Sequence, residues 1–527
     1  MRHALFILLV VFSFINTSVA QPQQLNFPVE FEVSQPVNFP ALHSFCWAQK
    51  DGKWLIMSGR NNGLHGFQPP SAFPTTNQNT LIFVYDPGTG SISSASVDGL
   101  PTLIADQVSS SNLEFHQFNN KLVLVGGYGF SQTDQVYKTF PSLLYIDVPG
   151  LMSAVEAGEP MGEYFLRVQD ERMAVCGSYL GHIDDTYYLV FGHRFDGRYN
   201  PFNGGSYTQT YTDEIRYFNL AENGNSVEIQ NYDAWWDQDH FHRRDYNLVP
   251  QISPEGSLYF TAFTGVFLRD INMPHKTSVH FNQNGYEVDS NFTQLLNQYH
   301  TAHLPMYSSN ENSMRTLFFG GIGENYVGAN NQIIQDSLVP FTKTVSMVYS
   351  DASGRIEGWL PGQLDEYAGA SASFIPDLSA PYDQNLILNL DELPLGRVHV
   401  GSIVGGIISD SKNTFMQSSG TTIASNKIIE VYIDAEVLKA QSQNAAGKVL
   451  INQTDEGILV KLSNSSNEKV SIDFLDASGK VVYDFRINVP AEGKLFTYDS
   501  LRSLKGISVC RLSNQGFIHT KKLLFPQ

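Results

Sequence analysis

The sequence predicts an all-β protein in which repeated units are followed by a small β-sandwich. Strand-like runs recur along most of the chain, Gly (42) and Pro (24) supply turns, and no segment groups strong helix formers. The apolar fraction of 42% can bury a large core, which excludes an intrinsically disordered chain. A length of 527 residues exceeds what one core usually serves, so we expect the core to be spread over repeats or over two domains.

The chain is acidic, with 52 Asp and Glu against 33 Lys and Arg and a formal net charge of −19. Nucleic acids and anionic membrane surfaces are bound through clustered Lys and Arg, so neither is expected as a partner. We interpret the acidic surplus as favouring solubility outside the cell.

Residues 1–20 have the pattern of a signal peptide. Arg2 precedes an apolar run at residues 4–14, and the segment ends in Ser18-Val19-Ala20. The alternative, an N-terminal membrane anchor, is disfavoured because the run is too short to span about 30 Å of hydrocarbon. No later stretch approaches the roughly 18 apolar residues of a membrane span, so no transmembrane segment is expected.

The cysteines predict separate buried thiols. There are three of them, widely spaced, at Cys46, Cys176 and Cys510. An odd number at such spacing does not form a disulfide framework, and no C-x-x-C pair indicates zinc.

Six copies of a three-strand pattern fill most of the chain up to residue 436. The first run of each copy begins at Leu42, Leu113, Arg172, Arg244, His300 and Ser371. The second run begins at Trp54, Lys121, Tyr188, Ser257, Thr316 and His399. The third begins at Thr80, Ser142, Asp213, Thr277, Val345 and Lys427. We expect a fourth, more variable strand in each copy.

These copies favour a radial arrangement. A sheet of three or four strands cannot bury both of its faces alone, whereas six sheets around an axis bury each face against a neighbour. We therefore predict a six-bladed β-propeller over residues 21–436, with an array of β-sandwiches as the alternative. The alternating stretch Val29–Val33 either supplies the outer strand of the last sheet and closes the ring, or is a disordered leader.

Glycine pairs end the second strand in three copies, at Gly126-Gly127, Gly320-Gly321 and Gly405-Gly406. In the other copies we align Ser58-Gly59, Gly192-His193 and Ala262-Phe263 with them. An aromatic residue then occupies the third strand, at Tyr85, Tyr145, Tyr217, Tyr349 and Tyr432. This pattern resembles kelch-type β-propellers, although the repeats are longer than the usual kelch length of about 50 residues.

A compositional shift after Asp434 marks a linker at residues 437–446 and a separate module at residues 447–527. Alternation in Val470, Ile472 and Phe474, and again in Val481, Tyr483 and Phe485, predicts two strands of a hairpin around the turn at residues 476–479. The hairpin indicates a small β-sandwich.

The module resembles the type A sorting domain of the type IX (Por) secretion system. The matching positions are Val470, Ile472, Asp476, Gly479, Lys480, Val482, Leu504, Gly506, Lys521, Lys522 and Leu523. It departs from that pattern at Gly506-Ile507-Ser508 and in lacking an Asn-Pro near its start. An unrelated immunoglobulin-like adhesion module is the alternative. The resemblance implies passage through a Gram-negative periplasm, export by the type IX machinery, removal of this domain, and release or attachment at the cell surface.

The first strands of a propeller line its axial channel, and their polar residues are the candidate ligand-binding residues. They are His43, Glu114, Arg172, Arg244, His300 and His303. Histidine, arginine and carboxylate groups together supply the donors and acceptors that a polar ligand such as a sugar needs. Alternatively, these residues satisfy one another and water around a solvated channel.

The segment Trp235–Asp245 holds the densest cluster of possible metal ligands. His240 and His242 are two residues apart and would share one face of a strand, and Asp237 or Asp239 could add an oxygen ligand. No third ligand is identifiable, so neither a metal nor another cofactor is expected. Trp235-Trp236 is interpreted as packing, with a sugar-stacking platform as the alternative.

Most enzyme motifs are missing: there is no G-x-S-x-G elbow, H-E-x-x-H pair, P-loop or dinucleotide-binding glycine pattern. The sequence therefore predicts a secreted or cell-surface propeller that binds a carbohydrate or an extracellular protein without catalysis. The alternative is a kelch-type carbohydrate-active enzyme, a sugar mutarotase, epimerase or oxidase, that uses channel-lining His, Arg and Glu. In a mutarotase or epimerase, Glu114 and Arg172 could be the base and the carboxylate-binding residue.

Overall fold

The computed structural model describes residues 22–201, 205–352, 354–414, 420–439, 449–454, 456–462, 469–476, 480–489, 494–514 and 517–525. The predicted signal peptide lies outside these ranges, as do Gly479 and most of the predicted linker. No helix within the ranges is both long and apolar enough to cross a membrane.

Six antiparallel sheets, each with four main strands, follow one another in the described part of the chain. Sheet 1 contains Cys46–Lys50, Lys53–Met57, Leu81–Asp86 and Ser91–Ser96. Sheet 2 contains Ser111–Phe118, Lys121–Ser131, Ser142–Asp147 and Phe165–Gln169. Sheet 3 contains Tyr179–Ile183, Thr186–Val190, Glu214–Asn223 and Ser226–Trp236. Sheet 4 contains Asn247–Ile252, Leu258–Phe263, Ser278–Asn282 and Gly285–Asp289.

Sheet 5 contains His303–Ser308, Ser313–Phe319, Thr344–Asp351 and Gly354–Gln363. The short strands Leu388–Asn389 and Gln23–Gln24 add to its two edges in parallel. Sheet 6 contains Tyr367–Pro376, Arg397–Ser409 and Ile428–Asp434. Its outer strand is Val29–Ser34, which pairs antiparallel with Ile428–Asp434. Of the two alternatives for Val29–Val33, the structure has the outer strand.

Insertions separate the second and third strands of the sheets. They include the strand Val136–Thr139 in sheet 2, the hairpin His193–Gly197 with Tyr207–Tyr211 in sheet 3, the hairpin Asn325–Val327 with Ile333–Gln335 in sheet 5, and Thr422–Ala424 in sheet 6. Two α-helices, Thr102–Val108 and Val148–Ala157, flank sheet 2.

Each sheet shares a separate apolar core with the next one. Sheets 2 and 3, for example, join through Val123 and Leu143 on one side and Leu180 and Phe218 on the other. Equivalent clusters join sheets 1 and 2, 3 and 4, 4 and 5, and 5 and 6. Sheet 6 returns to sheet 1 through a cluster that contains Val404 and Trp54. Every sheet therefore buries both faces.

A pair of left-handed residues directly follows the second strand in sheets 1, 3, 4 and 5 and lies within the longer second strand of sheets 2 and 6. The second member is a glycine with φ between 83° and 99° in all six sheets, at Gly59, Gly127, Gly192, Gly265, Gly321 and Gly406. The first member is Ser58, Gly126, Phe191, Thr264, Gly320 or Gly405. The alignment of Gly192-His193 and Ala262-Phe263 was therefore wrong, and the equivalent pairs are Phe191-Gly192 and Thr264-Gly265.

The second glycine is required where it crowds the segment that leads into the first strand of its own sheet. A Cβ atom on Gly192 would lie 2.6 Å from the Cβ of Ser178 and 2.7 Å from a methyl carbon of Val175. Its amide donates a hydrogen bond across to the next sheet, to the carbonyl of Arg243 at 3.1 Å. The same bond, at 2.8–2.9 Å, links the amides of Gly59, Gly127, Gly321 and Gly406 to the next sheets around the circle. Between sheets 4 and 5, Asn247 Nδ2 instead donates to the carbonyl of Gln298 at 2.8 Å.

The C-terminal segment forms two further sheets that share one core. One contains Val449–Gln453, Gly457–Leu462 and Lys494–Thr497, and the other contains Lys469–Leu475, Val481–Asn488, Gly506–Asn514 and Phe517–Phe525. The predicted pairing of Lys469–Leu475 with Val481–Asn488 is confirmed. The three cysteines are free and buried, as predicted.

The steric role of the second glycine predicts unequal effects of alanine at two glycines with similar φ. Gly192 has φ 83° in a crowded site, and Gly256 has φ 86° with nothing within 4 Å of an added Cβ. Gly256→Ala should cost about 1 kcal/mol of unfolding free energy from backbone strain. Gly192→Ala should cost about 1–3 kcal/mol more, because it also overpacks the strand. Denaturant unfolding of both variants measures the difference, and equal losses would contradict the steric role.

Candidate functional site

Six left-handed residues, one within or up to three residues before the first strand of each sheet, form a ring. They are Ser44, Asn112, Gly177, Asp245, His300 and Ser371, with φ between 46° and 64°. Main-chain hydrogen bonds join several neighbours directly: Ser371 N donates to His300 O at 2.7 Å, and Ser44 N donates to Ser371 O at 3.1 Å. The ring brings polar side chains from five of the six sheets to one place, and sheet 3 contributes Gly177.

All six ring residues line one axial cavity of about 1210 Å³. The cavity extends from the ring along the first strands to their far ends. Phe118, also in its wall, is six residues beyond Asn112, which corresponds to about 20 Å along an extended strand. The cavity thus has a floor at the ring and a mouth at the strand ends.

Glu114 lies near the floor and is 3% exposed. One of its carboxyl oxygens accepts a hydrogen bond from the amide of Ser178 at 2.9 Å. Burial raises the pKa of Glu114 well above its usual 4.5, and the nearby charge of Asp245 acts in the same direction. Glu114 therefore keeps its proton to higher pH than an ordinary glutamic acid and can donate a hydrogen bond.

Asp245 offers an unused acceptor beside Glu114. Its Oδ2 accepts a hydrogen bond from Arg244 Nη1 at 3.0 Å. Its buried Oδ1 has no hydrogen-bond partner among the described residues, and the nearest ion-pair contact is His300 Nδ1 at 3.8 Å. Burial lowers the pKa of His300, which favours the neutral imidazole. A buried acceptor without a partner is costly, so this oxygen is suited to a ligand hydroxyl.

Aromatic and amide groups form the wall above the floor. The rings of Trp47 and Phe115 from adjacent sheets meet edge to face with centroids 6.1 Å apart, and both residues line the cavity. Gln49, two residues after Trp47, is 8% exposed, and its Nε2 has no hydrogen-bond partner among the described residues. The cavity therefore combines an apolar wall with a free donor and a free acceptor.

Three of the six predicted site residues line this cavity: Glu114, His300 and His303. The His303 ring lies close to the main chain, with Nδ1 3.0 Å from the carbonyl oxygen of Thr301. Sequence reasoning did not select Trp47, Gln49 and Phe115. Their position in the first strands of sheets 1 and 2 was the available signal.

His43 and Arg244 immediately precede ring residues and are not among the residues that line the cavity. His43 Nδ1 lies 3.0 Å from Ser44 Oγ, and burial lowers the pKa of His43 to about 3, with Arg60 acting in the same direction. Arg244 Nε donates to Tyr211 Oη at 3.3 Å, and its guanidinium lies 5.4 Å from the ring centroid of Phe267. These two side chains are therefore not part of the cavity wall.

Arg172 lies away from the cavity. Its guanidinium pairs with Asp170, Nη2 to Oδ2 at 2.6 Å, and lies 4.0 Å from the ring centroid of Tyr232. The reason is the register of sheet 3, whose first strand begins at Tyr179, so that Arg172 falls in the preceding short 3-10 helix Glu171–Met173. The expectation that Arg172 lines the channel is corrected on this point.

The segment Trp235–Asp245 divides its polar groups between separate partners. His240 Nδ1 contacts Asp237 at 2.9 Å, whereas His242 Nδ1 contacts Asp213 at 2.9 Å. No group of three or more potential metal ligands occurs in the part of the chain that the structure describes. Trp235 packs against Tyr217 with ring centroids 4.9 Å apart.

No protein-family model and no curated protein matches this chain. Among solved structures, that of YjhT is similar to it with a TM-score of 0.38 and 11% sequence identity, over 64% of this chain and 98% of the other.

The environment of Glu114 predicts a pH-dependent stability difference. Because its pKa is raised in the folded state, wild-type protein should lose stability as the pH rises above the ordinary value of 4.5 towards the folded pKa. Glu114→Gln keeps an acceptor for Ser178 but cannot ionise, so its unfolding free energy relative to wild type should increase over that range. Denaturant unfolding at several pH values measures this. A difference that does not vary with pH would contradict the raised pKa.

Proposed function

We propose that this protein is a secreted or cell-surface, kelch-like six-bladed β-propeller followed by a β-sandwich sorting domain, and that its axial cavity binds carbohydrate. The six successive four-stranded sheets, their six cores and the return of sheet 6 to sheet 1 support the propeller. The outer strand from the N-terminus supports closure of the ring. The left-handed glycine within or just after every second strand supports the kelch-like pattern.

The observation that favours carbohydrate is that unpartnered polar atoms and aromatic side chains line the same cavity. Asp245 Oδ1 and Gln49 Nε2 are a buried acceptor and donor without partners among the described residues, and Trp47 and Phe115 line the same cavity. Sugars offer hydroxyl groups together with apolar C–H faces, which match this combination. A deep cavity suits a small ligand better than the flat surface of a protein partner.

A carbohydrate-active enzyme is the second candidate. It is favoured by two carboxyl groups on one cavity floor in different environments, Glu114 buried with a raised pKa and Asp245 paired with Arg244. Such a difference is typical of acid and base partners. A mutarotase or epimerase would use the pair to move protons on a bound sugar.

Export through the type IX machinery is proposed from the signal-peptide pattern and from the resemblance of residues 447–527 to type A sorting domains. The hairpin of Lys469–Leu475 and Val481–Asn488 and the shared core of the two C-terminal sheets support a separate module. The partners would then be the secretion machinery at the C-terminus and a carbohydrate in the cavity.

Binding to a glycan array of neutral and acidic oligosaccharides tests the carbohydrate proposal. The wild-type protein should bind, and Trp47→Ala and Gln49→Leu should each weaken binding about tenfold, the effect of losing about 1.4 kcal/mol of contact. Arg172→Gln, a variant at an exposed arginine outside the cavity, is the matched control and should bind as wild type. Absence of glycan binding, with binding to an extracellular protein instead, would overturn the proposal.

NMR of each bound sugar tests the enzyme alternative. An enzyme would interconvert the anomers or epimers of that sugar, and the Glu114→Gln variant would lose this activity.

Deletion of residues 447–527 tests the export proposal. In the native host, the truncated protein should accumulate in the periplasm because it lacks the segment that the machinery recognises, while the full-length Arg172→Gln variant should reach the outside. Immunoblots of periplasmic, surface and medium fractions measure this. Normal appearance of the truncated protein outside the cell would refute type IX sorting by this module.

A further inference from the structure

Residues just before the ring and just after the second glycines form a layer behind the floor of the axial cavity. The first strands run from the ring to the mouth, so a residue that precedes the ring lies on the side away from the cavity, and none of these residues lines it. In every sheet this residue pairs with the one that follows the second glycine. The pairs are His43 with Arg60, Ser111 with Tyr128, Cys176 with His193, Arg244 with Val266, Tyr299 with Ile322, and Ala370 with Ile407. We name these residues the rear layer.

The rear layer holds two arginines and no carboxylate. Arg60 is 2% exposed and donates only to neutral acceptors, Asn62 Oδ1 at 3.2 Å and the carbonyl of Pro74 at 2.8 Å. No carboxylate lies within 4 Å of its guanidinium in the described part of the chain. Arg244 pairs with Asp245 of the ring through Nη1. Two arginine charges thus face one carboxylate, and a buried charge without a partner favours an anion.

Unused hydrogen-bond donors surround Arg244. Its Nε donates to Tyr211 Oη at 3.3 Å, which leaves the hydroxyl hydrogen of Tyr211 for another acceptor. Arg244 Nη2 has no hydrogen-bond partner among the described residues, and 23% of the side chain is exposed. The rings of His193 and Tyr211 lie side by side with centroids 5.6 Å apart. Gln209 Nε2 donates to His193 Nδ1 at 2.6 Å, so a neutral His193 carries its hydrogen on Nε2.

Neutral histidines complete the surroundings. His43 is 7% exposed, and its Nε2 has no hydrogen-bond partner among the described residues. His65 stacks on Phe73 with ring centroids 4.3 Å apart. Burial lowers the pKa of His65 to about 4, and the charges of Arg244 and Arg60 act in the same direction. Because these imidazoles stay neutral, the rear layer has the excess positive charge for a monoanion and not for a phosphate dianion.

From these groups we infer a second ligand site behind the floor of the cavity, where Arg244, Tyr211 and His193 bind the carboxylate group of a small molecule. A carboxylate oxygen accepts hydrogen bonds from all three kinds of donor and offsets the uncompensated arginine charge. The inference does not depend on carbohydrate binding in the cavity, since none of these three residues lines it.

Calorimetric titration of the purified protein with acetate, lactate, glucuronate and inorganic phosphate tests the inference. At least one carboxylate should bind more tightly than phosphate. Arg244→Lys keeps the charge beside Asp245 but loses the planar set of N–H donors, so it should weaken the binding of that carboxylate about tenfold or more. Tyr211→Phe removes one hydroxyl donor and should weaken it about fivefold. Arg172→Lys, at an arginine that also pairs with a nearby aspartate but lies outside the rear layer, is the matched control and should bind as wild type.

The carboxylates and a neutral sugar identify the source of the acid group. Tighter binding of glucuronate than of acetate and lactate, with weaker binding of glucose, indicates the acid group of a saccharide. The reverse order among the carboxylates indicates a free organic acid.

Four results would overturn the inference. They are absence of binding by every carboxylate, tighter binding of phosphate than of all of them, glucose binding equal to that of the tightest carboxylate, and a carboxylate affinity that Arg244→Lys leaves unchanged. Unfolding midpoints verify that the variants fold. If Arg244→Lys does not fold, an unchanged affinity in Tyr211→Phe overturns the inference on its own.

Discussion

The hydrogen bond that the second glycine amide of a repeat donates to the entry of the next sheet is the interaction on which the rest of the structure depends. It recurs from Gly59, Gly127, Gly192, Gly321 and Gly406, and an Asn247 side chain replaces it between sheets 4 and 5. Each bond fixes the distance between two neighbouring sheets at the centre, where there is least room. Since the bonds follow one another around the circle, the sheets cannot move apart there without breaking several of them.

The cavity chemistry follows from that constraint. The same region of each repeat contains a left-handed ring residue, so five side chains and Gly177 converge on one cavity. Sheet-to-sheet packing buries most apolar residues, and polar groups such as Glu114 and Asp245 lie on the floor of the cavity below its aromatic wall. Burial raises the pKa of Glu114. Asp245 Oδ1 is also buried and has no hydrogen-bond partner among the described residues. Buried polar atoms without partners favour ligand binding, because a ligand can form the hydrogen bonds that the fold leaves unmade.

The sequence was most informative where side-chain pattern and backbone requirement coincide. Alternation in Val29–Val33 was consistent with the outer strand of sheet 6 but left a disordered leader open, and the turn-bounded runs identified most second and third strands. It was least informative about register. The left-handed ring positions are occupied by Ser, Asn, Gly, Asp and His, so no single residue type marks them. In sheet 3 this allowed Arg172 to be aligned with channel-lining residues although the strand begins at Tyr179. The unpartnered atoms of Gln49 and Asp245 depend on long-range packing, which sequence periodicity does not encode.

Hydrogen exchange at the glycine amides tests the closed circle most directly. If the inter-sheet bonds form one cooperative ring, the amides of Gly59, Gly127, Gly192, Gly321 and Gly406 should exchange slowly and with a common free energy, that of global unfolding. Mass spectrometry of peptides that contain these residues, or NMR of the labelled protein, gives the rates. Fast exchange of one or two of these amides while the others stay protected would contradict the account, because it would mean that the circle opens locally and does not hold the axial cavity as a unit.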